Sequence, residues 1–566
     1  MVHDSTSLEL DYLKSGSVIG FDTEFITLDM YNPINELLCI SFASRQGQYN
    51  EIKTISFTKN ELTNDVVEFL NKRILRREDL FFTSHNLKVD IAALRLAGLN
   101  KPAKAACTLH ITQYYDENIY NKSLDALCRQ FNLGSKLDFN INQYLKMFTT
   151  ETLLNNLSTT LKAYAEEDAK LHLKLFEYLE IFMDLDYFCT ASSNSEYRFI
   201  QTIEEMEHRG ILVDLIETRN RIKQINNYLL EIQNDLGFDP MKPSLLGKYM
   251  FETLKLPVLH TTKTGRPSLD KNAMYDYEAL SNNHPDLKKV MTYRKLLKTR
   301  STYYEAIEKL NHNSVIHCNF RIQGTKTGRL SCANPNLQQL PRTNDEDHDG
   351  LLNVKKVFIP RPNHVLYELD YKNLELRIAA AYAKEVSLLN AFVDNKDIFQ
   401  EMANDLKVER FVAKTLTYAI LYGAGANRVN LLLDCGEDKA KELITKFYNT
   451  YPMLYKLKQD VSDRIIEQGY ITTLGGRRRY LTAEESYKAF NSLIQGSAAD
   501  IVKNVMINIS DSNLPGLLLQ IHDALVVEIR KDFIDTDLAA FRDKMINPCI
   551  NIPIPLEVDI HEWSSK

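Results

Sequence analysis

Four residues spaced by four, Arg410, Lys414, Tyr418 and Tyr422, are followed at once by Gly423. Residues four apart share one helical face, so the stripe presents two cations and then two phenols along one side of a helix. Arginine and lysine meet phosphate oxygens, and the rings offer a surface to a sugar and a flat base. A polyphosphate joined to a nucleoside suits that order; a solvated helix edge beside a core has the same spacing. A second set of residues is acidic. Asp22 and Glu24 are two apart on a strand-like run, so both carboxylates leave one face. Asp90 lies in a helix opened by His85-Asn86, and Tyr164 and Asp168 are one helical turn apart. Packed together, these acids need a counterion, and hard divalent cations with oxygen ligands fit. Such a site holds two metals about 4 Å apart and runs an in-line displacement at phosphorus. Asp22, Glu24, Asp90 and Asp168 are then the ligands, and Tyr164 orients the attacking water. A third pair, Asp370 and Asp523, is distant in sequence, and strands of one sheet could bring the two together.

The elements that must position these groups follow from pattern. Residues 1 to about 185 alternate strand-like runs, such as Val18-Ile19-Gly20-Phe21 and Leu38-Cys39-Ile40-Ser41-Phe42, with helical stretches, an α/β signature. Helical periodicity dominates from about 195 to 312, interrupted by Thr264-Gly265-Arg266-Pro267. Val365 to Asp370 reads as a buried strand ending in an acid. Leu517 to Glu528 reads as two apolar strands around His522-Asp523, a hairpin with an acid at its tip. A helical insert, about 386 to 500, lies between them and carries the stripe.

A chain of 566 residues is too long for one core, and length alone implies about three or four domains. Its 44% hydrophobic and 25% charged residues are ordinary for a globular protein. No apolar run approaches the roughly 18 residues that cross a bilayer, so no membrane association is expected. Asp4, Glu9 and Asp11, without any arginine, fit neither a signal nor a transit peptide, and the expected location is cytoplasmic, of the host cell if the protein is viral. Eight cysteines are scattered without a CxxC pair and read as reduced thiols. The net charge of −7 is at odds with a nucleic-acid partner, but charge is local under screening. Lys288, Lys289, Arg294, Lys295, Lys298 and Arg300 form one basic run, and Gly475-Gly476-Arg477-Arg478-Arg479-Tyr480 forms a second. Either could be a solvated face or a grip on phosphate backbone.

Asp22-Thr23-Glu24, His85 to Asp90 and Tyr164 to Asp168 resemble, in order and spacing, the three motifs of the DEDD 3′→5′ exonucleases with tyrosine in the third motif. Thr325-Lys326-Thr327-Gly328-Arg329-Leu330-Ser331 and Pro335-Asn336-Leu337-Gln338-Gln339 resemble the primer-template contact motif of family A DNA polymerases. Asp370-Tyr371-Lys372-Asn373-Leu374-Glu375-Leu376-Arg377 is similar to motif A of that family, the stripe to motif B, and Gln520-Ile521-His522-Asp523 to motif C. Asn491 with Gln495-Gly496-Ser497-Ala498-Ala499-Asp500 is similar to the helix before motif C.

The resemblance implies α/β and α+β domains in series: an RNase H-like exonuclease domain at 1–190, then a right-hand polymerase with thumb at 191–312 and palm at 313–566, fingers inserted at about 386–500. It implies two Mg²⁺ per active site, replaceable by Mn²⁺, with Asp370, Tyr371 and Asp523 holding the polymerase pair. Arg410 and Lys414 would bind the triphosphate, with Lys414 placed to protonate the leaving group. Tyr422 would pack near the nascent pair, and Glu375 would crowd the sugar 2′ position. Arg329, Asn336, Gln338, Asn491, Gln495 and His522 would touch the primer-template duplex, where minor-groove acceptors are alike in all correct pairs. Arg294 and Lys295 would grip its backbone from the thumb. Expected partners are primer-template DNA, dNTPs and replisome components such as a helicase-primase and a single-stranded DNA-binding protein, with the chain itself a monomer.

Four positions depart from the family pattern. Ala524 replaces a glutamate, Phe399 a histidine that contacts the triphosphate, and Tyr487 an arginine that Lys488 could replace. Tyr418 stands where bacterial repair enzymes carry phenylalanine, and its hydroxyl can stand in for a missing nucleotide 3′-OH, which predicts ready use of dideoxynucleotides. No 5′-nuclease of about 300 residues is expected in front of the exonuclease, and residues 210–293 look compact. With Tyr418, these features imply a bacteriophage replicative enzyme. A repair polymerase of the same chemistry and a non-catalytic DNA-binding subunit are the competing expectations.

Overall fold

Gly20 decides how closely the first helix layer meets the first sheet. The computed structural model describes residues 9–563 apart from 28, 48–49, 184–194, 271–272, 275, 278–283, 342–349, 513, 515 and 549–554. Its N-terminal sheet has the order β3-β2-β1-β4-β5, with β1 Val18–Phe25, β2 Leu37–Gln46, β3 Glu51–Thr58, β4 Phe81–Ser84 and β5 Ala105–Cys107. β1 runs antiparallel to β2 and parallel to β4. Ile19 and Phe21 are fully buried on one face of β1, so alternation turns Gly20, Asp22 and Glu24 to the other.

Helix α1 (Leu87–Leu96) starts after Asn86, whose backbone is left-handed. Helix α2 (Ser158–Leu179) crosses β1 and β2. A Cβ on Gly20 would meet the Ala169 carbonyl of α2 at 2.2 Å, so only glycine permits this approach. Ser41 donates to the Ala165 carbonyl at 2.6 Å. Leu161, Ala165, Asp168, Ala169, His172, Phe176 and Leu179 form the buried stripe of α2. Two polar groups, Asp168 and His172, thus ride in an otherwise apolar seam.

Two units divide the described chain. One comprises the residues through Arg209 with Phe320–Ser331 and Tyr367–His561; the other comprises Gly210–Asn319, Cys332–Leu366 and Glu562 onward. The helix-rich second unit was expected from 191, but α3 (Glu196–Arg209) lies in the first. Its Glu204 pairs with Arg95 and its Glu207 with Lys88, each at 2.6 Å, and both glutamates are buried. Residues 332–366 lie in the second unit, where Asp214 donates its amide to the Val357 carbonyl at 2.8 Å. That unit contains the helices Leu215–Leu236 and Pro285–Thr299, whose Gln233 and Tyr293 side chains are joined by a 2.8 Å hydrogen bond.

A four-stranded sheet, most of it in the first unit, consists of β6 (His364–Tyr371), β7 (Leu517–Ile521), β8 (Ala524–Arg530) and β9 (Val558–Glu562), in the order β7-β8-β6-β9. β7 and β8 are the expected hairpin, with Ile521 opposite Ala524. His522 takes φ +54 in its turn, as tight hairpin turns require. Helix α4 (Leu374–Ala383) follows β6, α5 (Ile398–Leu406) and α6 (Arg410–Leu421) lie in the helical insert, and α7 (Ala489–Asp511) leads back to β7. Among the described residues, no helix is long and apolar enough to cross a membrane.

Candidate active sites

β1 and α2 bring three of the four N-terminal acids together. Carboxylate oxygens of Asp22, Glu24 and Asp168 lie within 4.8 Å of one another. Asp90, from α1, accepts a 2.6 Å hydrogen bond from the Thr23 hydroxyl. Burial, then the charges of Glu24, Asp168 and Asp90, push Asp22 well above the carboxylate range. Burial and Asp168 push Glu24 up to about 8. Burial lifts Asp90 to about 7 against hydrogen bonds from Thr23 and Ser84. Asp22 Oδ2 and Asp168 Oδ1 are buried without a hydrogen-bond partner. Clustered oxygen donors with unspent lone pairs and mutual repulsion are the donor set of a hard divalent cation, so these residues fit the metals expected of them.

Two further groups of this site were not singled out in the sequence. His172, one turn beyond Asp168, bonds the Phe21 carbonyl through Nδ1 at 2.7 Å, and its Nε2 is 3.9 Å from Asp22. Burial holds it at about 3, so the ring is neutral. Its helical spacing from Asp168 was the available signal. Lys136 places its ammonium 2.5 Å from Asp168 Oδ2 and 5.1 Å from the Tyr164 ring centre. Burial pushes the Tyr164 phenol up, with Asp168 and Glu24 adding to the rise, so the ring stays protonated and can orient a water only as a neutral group.

In the second sheet, Asp370 in β6 and Asp523 in the β7–β8 turn come from neighbouring strands of order β7-β8-β6. Burial, followed by Glu375, Asp523 and Asp370, raises the Tyr418 phenol to about 12, and its hydroxyl donates to Asn373, three residues beyond Asp370, at 3.3 Å. Burial lifts Asp523, opposed by Arg329 and His522. Arg329 donates to Glu375 at 2.5 Å and lies 3.4 Å from Asp523. This residue, expected on the duplex, is thus engaged by the acid site. Tyr371, expected among the metal ligands, sends its hydroxyl to the Met545 carbonyl at 2.6 Å within the core. The atom Tyr371 could offer a metal is therefore its backbone carbonyl, next to Asp370.

The stripe is an open face of α6. Arg410, Lys414 and Tyr422 are exposed and Tyr418 is half-buried, while Ala413, Leu416, Thr417, Ile420 and Leu421 pack inward. The two phenol rings stack 6.0 Å apart. Phe399 is buried beneath the stripe, with Arg410 at 5.9 Å, Lys414 at 5.7 Å and Tyr418 at 5.7 Å from its ring centre. Asp397, which caps α5, holds the Arg410 guanidinium at 2.9 and 3.3 Å. The ring at 399 therefore acts as an aromatic floor under two cations. Ala524 is buried at the start of β8, and Tyr487 is exposed with Lys488 over its ring.

The remaining expected contacts separate by unit. In the first, Asn491 donates to the Leu421 carbonyl at 3.2 Å, satisfying an orphan acceptor at the end of α6. Gln495 lies one turn further along α7, and His522 is exposed at the hairpin tip. In the second, Asn336 caps a short turn by accepting from the Gln338 amide at 3.1 Å, and Gln338 is buried. Arg294 is half-buried and Lys295 exposed on their helix. The basic run Arg477-Arg478-Arg479 is only partly a surface. Strand alternation turns Arg478 out and the other two in. Arg477 donates to the Lys326 and Thr327 carbonyls, and Arg479 pairs with Glu117.

Comparison with known proteins bears on the two domains that carry these residues. Residues 4–183 match the family described as 3′-5′ exonuclease. DNA polymerase I of Treponema pallidum (strain Nichols) is 32% identical over 396 residues, covering 64% of this chain and 39% of that protein. DNA polymerase I of Borreliella burgdorferi is 27% identical over 598 residues, covering 99% of this chain and 64% of that protein. The chain thus spans less than two thirds of the length of these relatives. Among solved structures, the POL domain of Pol1 from M. smegmatis, in complex with DNA primer-template and dNTP, has a TM-score of 0.81 at 23% identity and covers 97% of this chain and 96% of its own. That likeness concerns the fold. Residues 215–565 match the family described as DNA polymerase family A, and the chain belongs to that family, with a 3′-5′ exonuclease domain on its N-terminal side.

Proposed function

We propose that the chain extends a DNA primer on a template with dNTPs and removes mispaired 3′ ends in its exonuclease domain. The observation that carries the reading is the 3.3 Å hydrogen bond from Tyr418, on the cationic and phenolic face of α6, to Asn373, three residues beyond Asp370. Asp370 and Asp523, and separately Asp22, Glu24, Asp90 and Asp168, would hold divalent cations, Mg²⁺ or in its place Mn²⁺, which when bound activate an oxygen nucleophile and neutralise charge at phosphorus. Positioning and charge stabilisation supply most of the catalysis in such transfers. Arg410 and Lys414 bind the triphosphate, each steadied by Phe399, and Lys414 gives a proton to the leaving pyrophosphate. Tyr418 meets the sugar, Tyr422 the nascent pair. Glu375, held by Arg329, crowds the 2′ position and so disfavours ribonucleotides. Asn491, Gln495, His522, Arg329, Asn336 and Gln338 serve duplex contact, and Arg294 and Lys295 its phosphate backbone. The chain is read as a monomer, with residues 191–312 as thumb, 313–566 as palm and 386–500 as fingers. Its setting is read as bacteriophage genome replication beside a helicase-primase and a single-stranded DNA-binding protein. Tyr418 supports that setting, although the relatives named above are bacterial.

Extension of an end-labelled primer with a 3′ mismatch tests the whole reading. The protein should trim the mismatch and then extend. Asp370→Ala should trim without extending, and Asp22→Ala with Glu24→Ala should leave the mismatch in place and still extend a matched primer. Absence of extension with either Mg²⁺ or Mn²⁺ would leave a DNA-binding protein that keeps the fold.

A further inference from the structure

Lys136 lies in a loop between two helices, and several contacts fix it where it is. Its backbone amide donates to Asp125 Oδ1 at 2.9 Å. Two residues earlier, Gly134 has φ +132, and a Cβ there would press on Leu171 of α2 at 3.1 Å. Lys174 of α2 donates to the Leu133 carbonyl at 3.2 Å. The loop is thus pinned to the helix that carries Tyr164 and Asp168. The ammonium then reaches Asp168 Oδ2 at 2.5 Å and lies over the Tyr164 ring, 5.1 Å from its centre. Lys136 and Tyr164 share the wall of a cleft of about 520 Å³ with Phe139.

We propose that Lys136 is a positioning residue of the exonuclease site: it holds the Tyr164 phenol and the Asp168 carboxylate in fixed relation and leaves the site one positive charge in excess for the 3′-terminal phosphodiester. This rests on the exonuclease reading of the acidic cluster. Four carboxylates balance two divalent cations, so the lysine charge remains to face an anionic substrate whose charge grows as the nucleophile adds. Lying over the ring and beside the carboxylate, Lys136 fixes the phenol where its O–H can meet the reacting water or phosphate. A lysine here also repels any cation bound by Asp168. Its removal should therefore slow the reaction and strengthen cation binding, whereas loss of a merely structural support weakens both.

The experiment uses the full chain and a 5′-labelled single-stranded oligonucleotide. Lys136→Met should lower kcat for degradation roughly 10- to 100-fold, with Lys136→Arg restoring much of it. Mn²⁺ binding to the protein without DNA, followed by electron paramagnetic resonance, should tighten roughly tenfold in Lys136→Met. Extension of a matched primer by the same preparation reports that the variant is folded. An unchanged kcat, or Mn²⁺ binding that is unchanged or weaker, overturns the proposal. Failure of the underlying site reading shows separately, as oligonucleotide degradation surviving Asp22→Ala with Glu24→Ala.

Discussion

The Tyr418 hydroxyl donates to Asn373 Oδ1 at 3.3 Å, and its ring is packed between Phe399 and Tyr422. A phenol whose proton leaves only at about 12 remains a hydrogen-bond donor at any working pH. A ribose 3′-OH ordinarily satisfies its own surroundings in a polymerase site, and a dideoxynucleotide leaves that place empty. The Tyr418 hydroxyl can fill it, with Asn373 as its resting partner. Tyr418→Phe should therefore reduce incorporation of ddNTP relative to dNTP by roughly 10- to 100-fold, the range of a lost hydrogen bond to a charged group. Single-nucleotide extension in an Asp22→Ala, Glu24→Ala background measures the ratio without editing. Equal ratios in the two proteins would mean the phenol does not touch the sugar.

β1, α1 and α2 each supply acids to one cluster, and their packing sets a pH dependence. Glu24 is at about 8 in the fold against an ordinary 4.5, and Asp90 at about 7 against 3.8. The folded protein keeps protons that the unfolded chain releases, so this contribution to stability is complete below about pH 4.5 and is lost as pH rises to about 8. His85 and His172, held by burial at about 4 and 3, act in the opposite sense below about pH 6.5, so the carboxylate effect is cleanest above that. In EDTA, Tm should fall between about pH 6.5 and 8, Mg²⁺ should offset most of the fall by binding the folded form, and Glu24→Gln should flatten it. A Tm insensitive to pH and to Mg²⁺ in that range would contradict the cluster. These acids were legible in the sequence because periods of two and of four residues report faces directly. Asp370 and Asp523 were legible as ends of apolar strands. Lys136 was not, since a loop has no period and its course depends on Gly134, Asp125 and Lys174 acting together. The arginines at 477 and 479 were misread as surface because a three-residue strand is too short to display alternation.

At the scale of the molecule, both sites belong to one unit, and polar contacts join segments of the N-terminal domain to segments of the polymerase domain. Glu117, 4% exposed, pairs with Arg479, 6% exposed, and accepts the Tyr480 amide at 2.8 Å. Glu196 of α3 pairs with Lys503 of α7, and Lys326 reaches Asn118 at 3.0 Å. Arg477, two residues from Arg479, holds the carbonyls of residues 326 and 327, which lead to Arg329 at the polymerase acids. A buried pair broken on one side leaves an uncompensated charge, costing about 3–5 kcal/mol, whereas replacing both partners with apolar residues is often neutral. Glu117→Ala should therefore lower the urea midpoint sharply and slow primer extension through the 325–329 segment. Glu117→Leu combined with Arg479→Met should recover most of the midpoint. Because Tyr480 still loses its acceptor in the double variant, recovery should fall short by about 1 kcal/mol. A single variant as stable as the parent would mean that the pair does not tie the loop at Glu117 to the strand at Arg479, and a double variant as damaged as the single would place the loss in the Tyr480 bond instead.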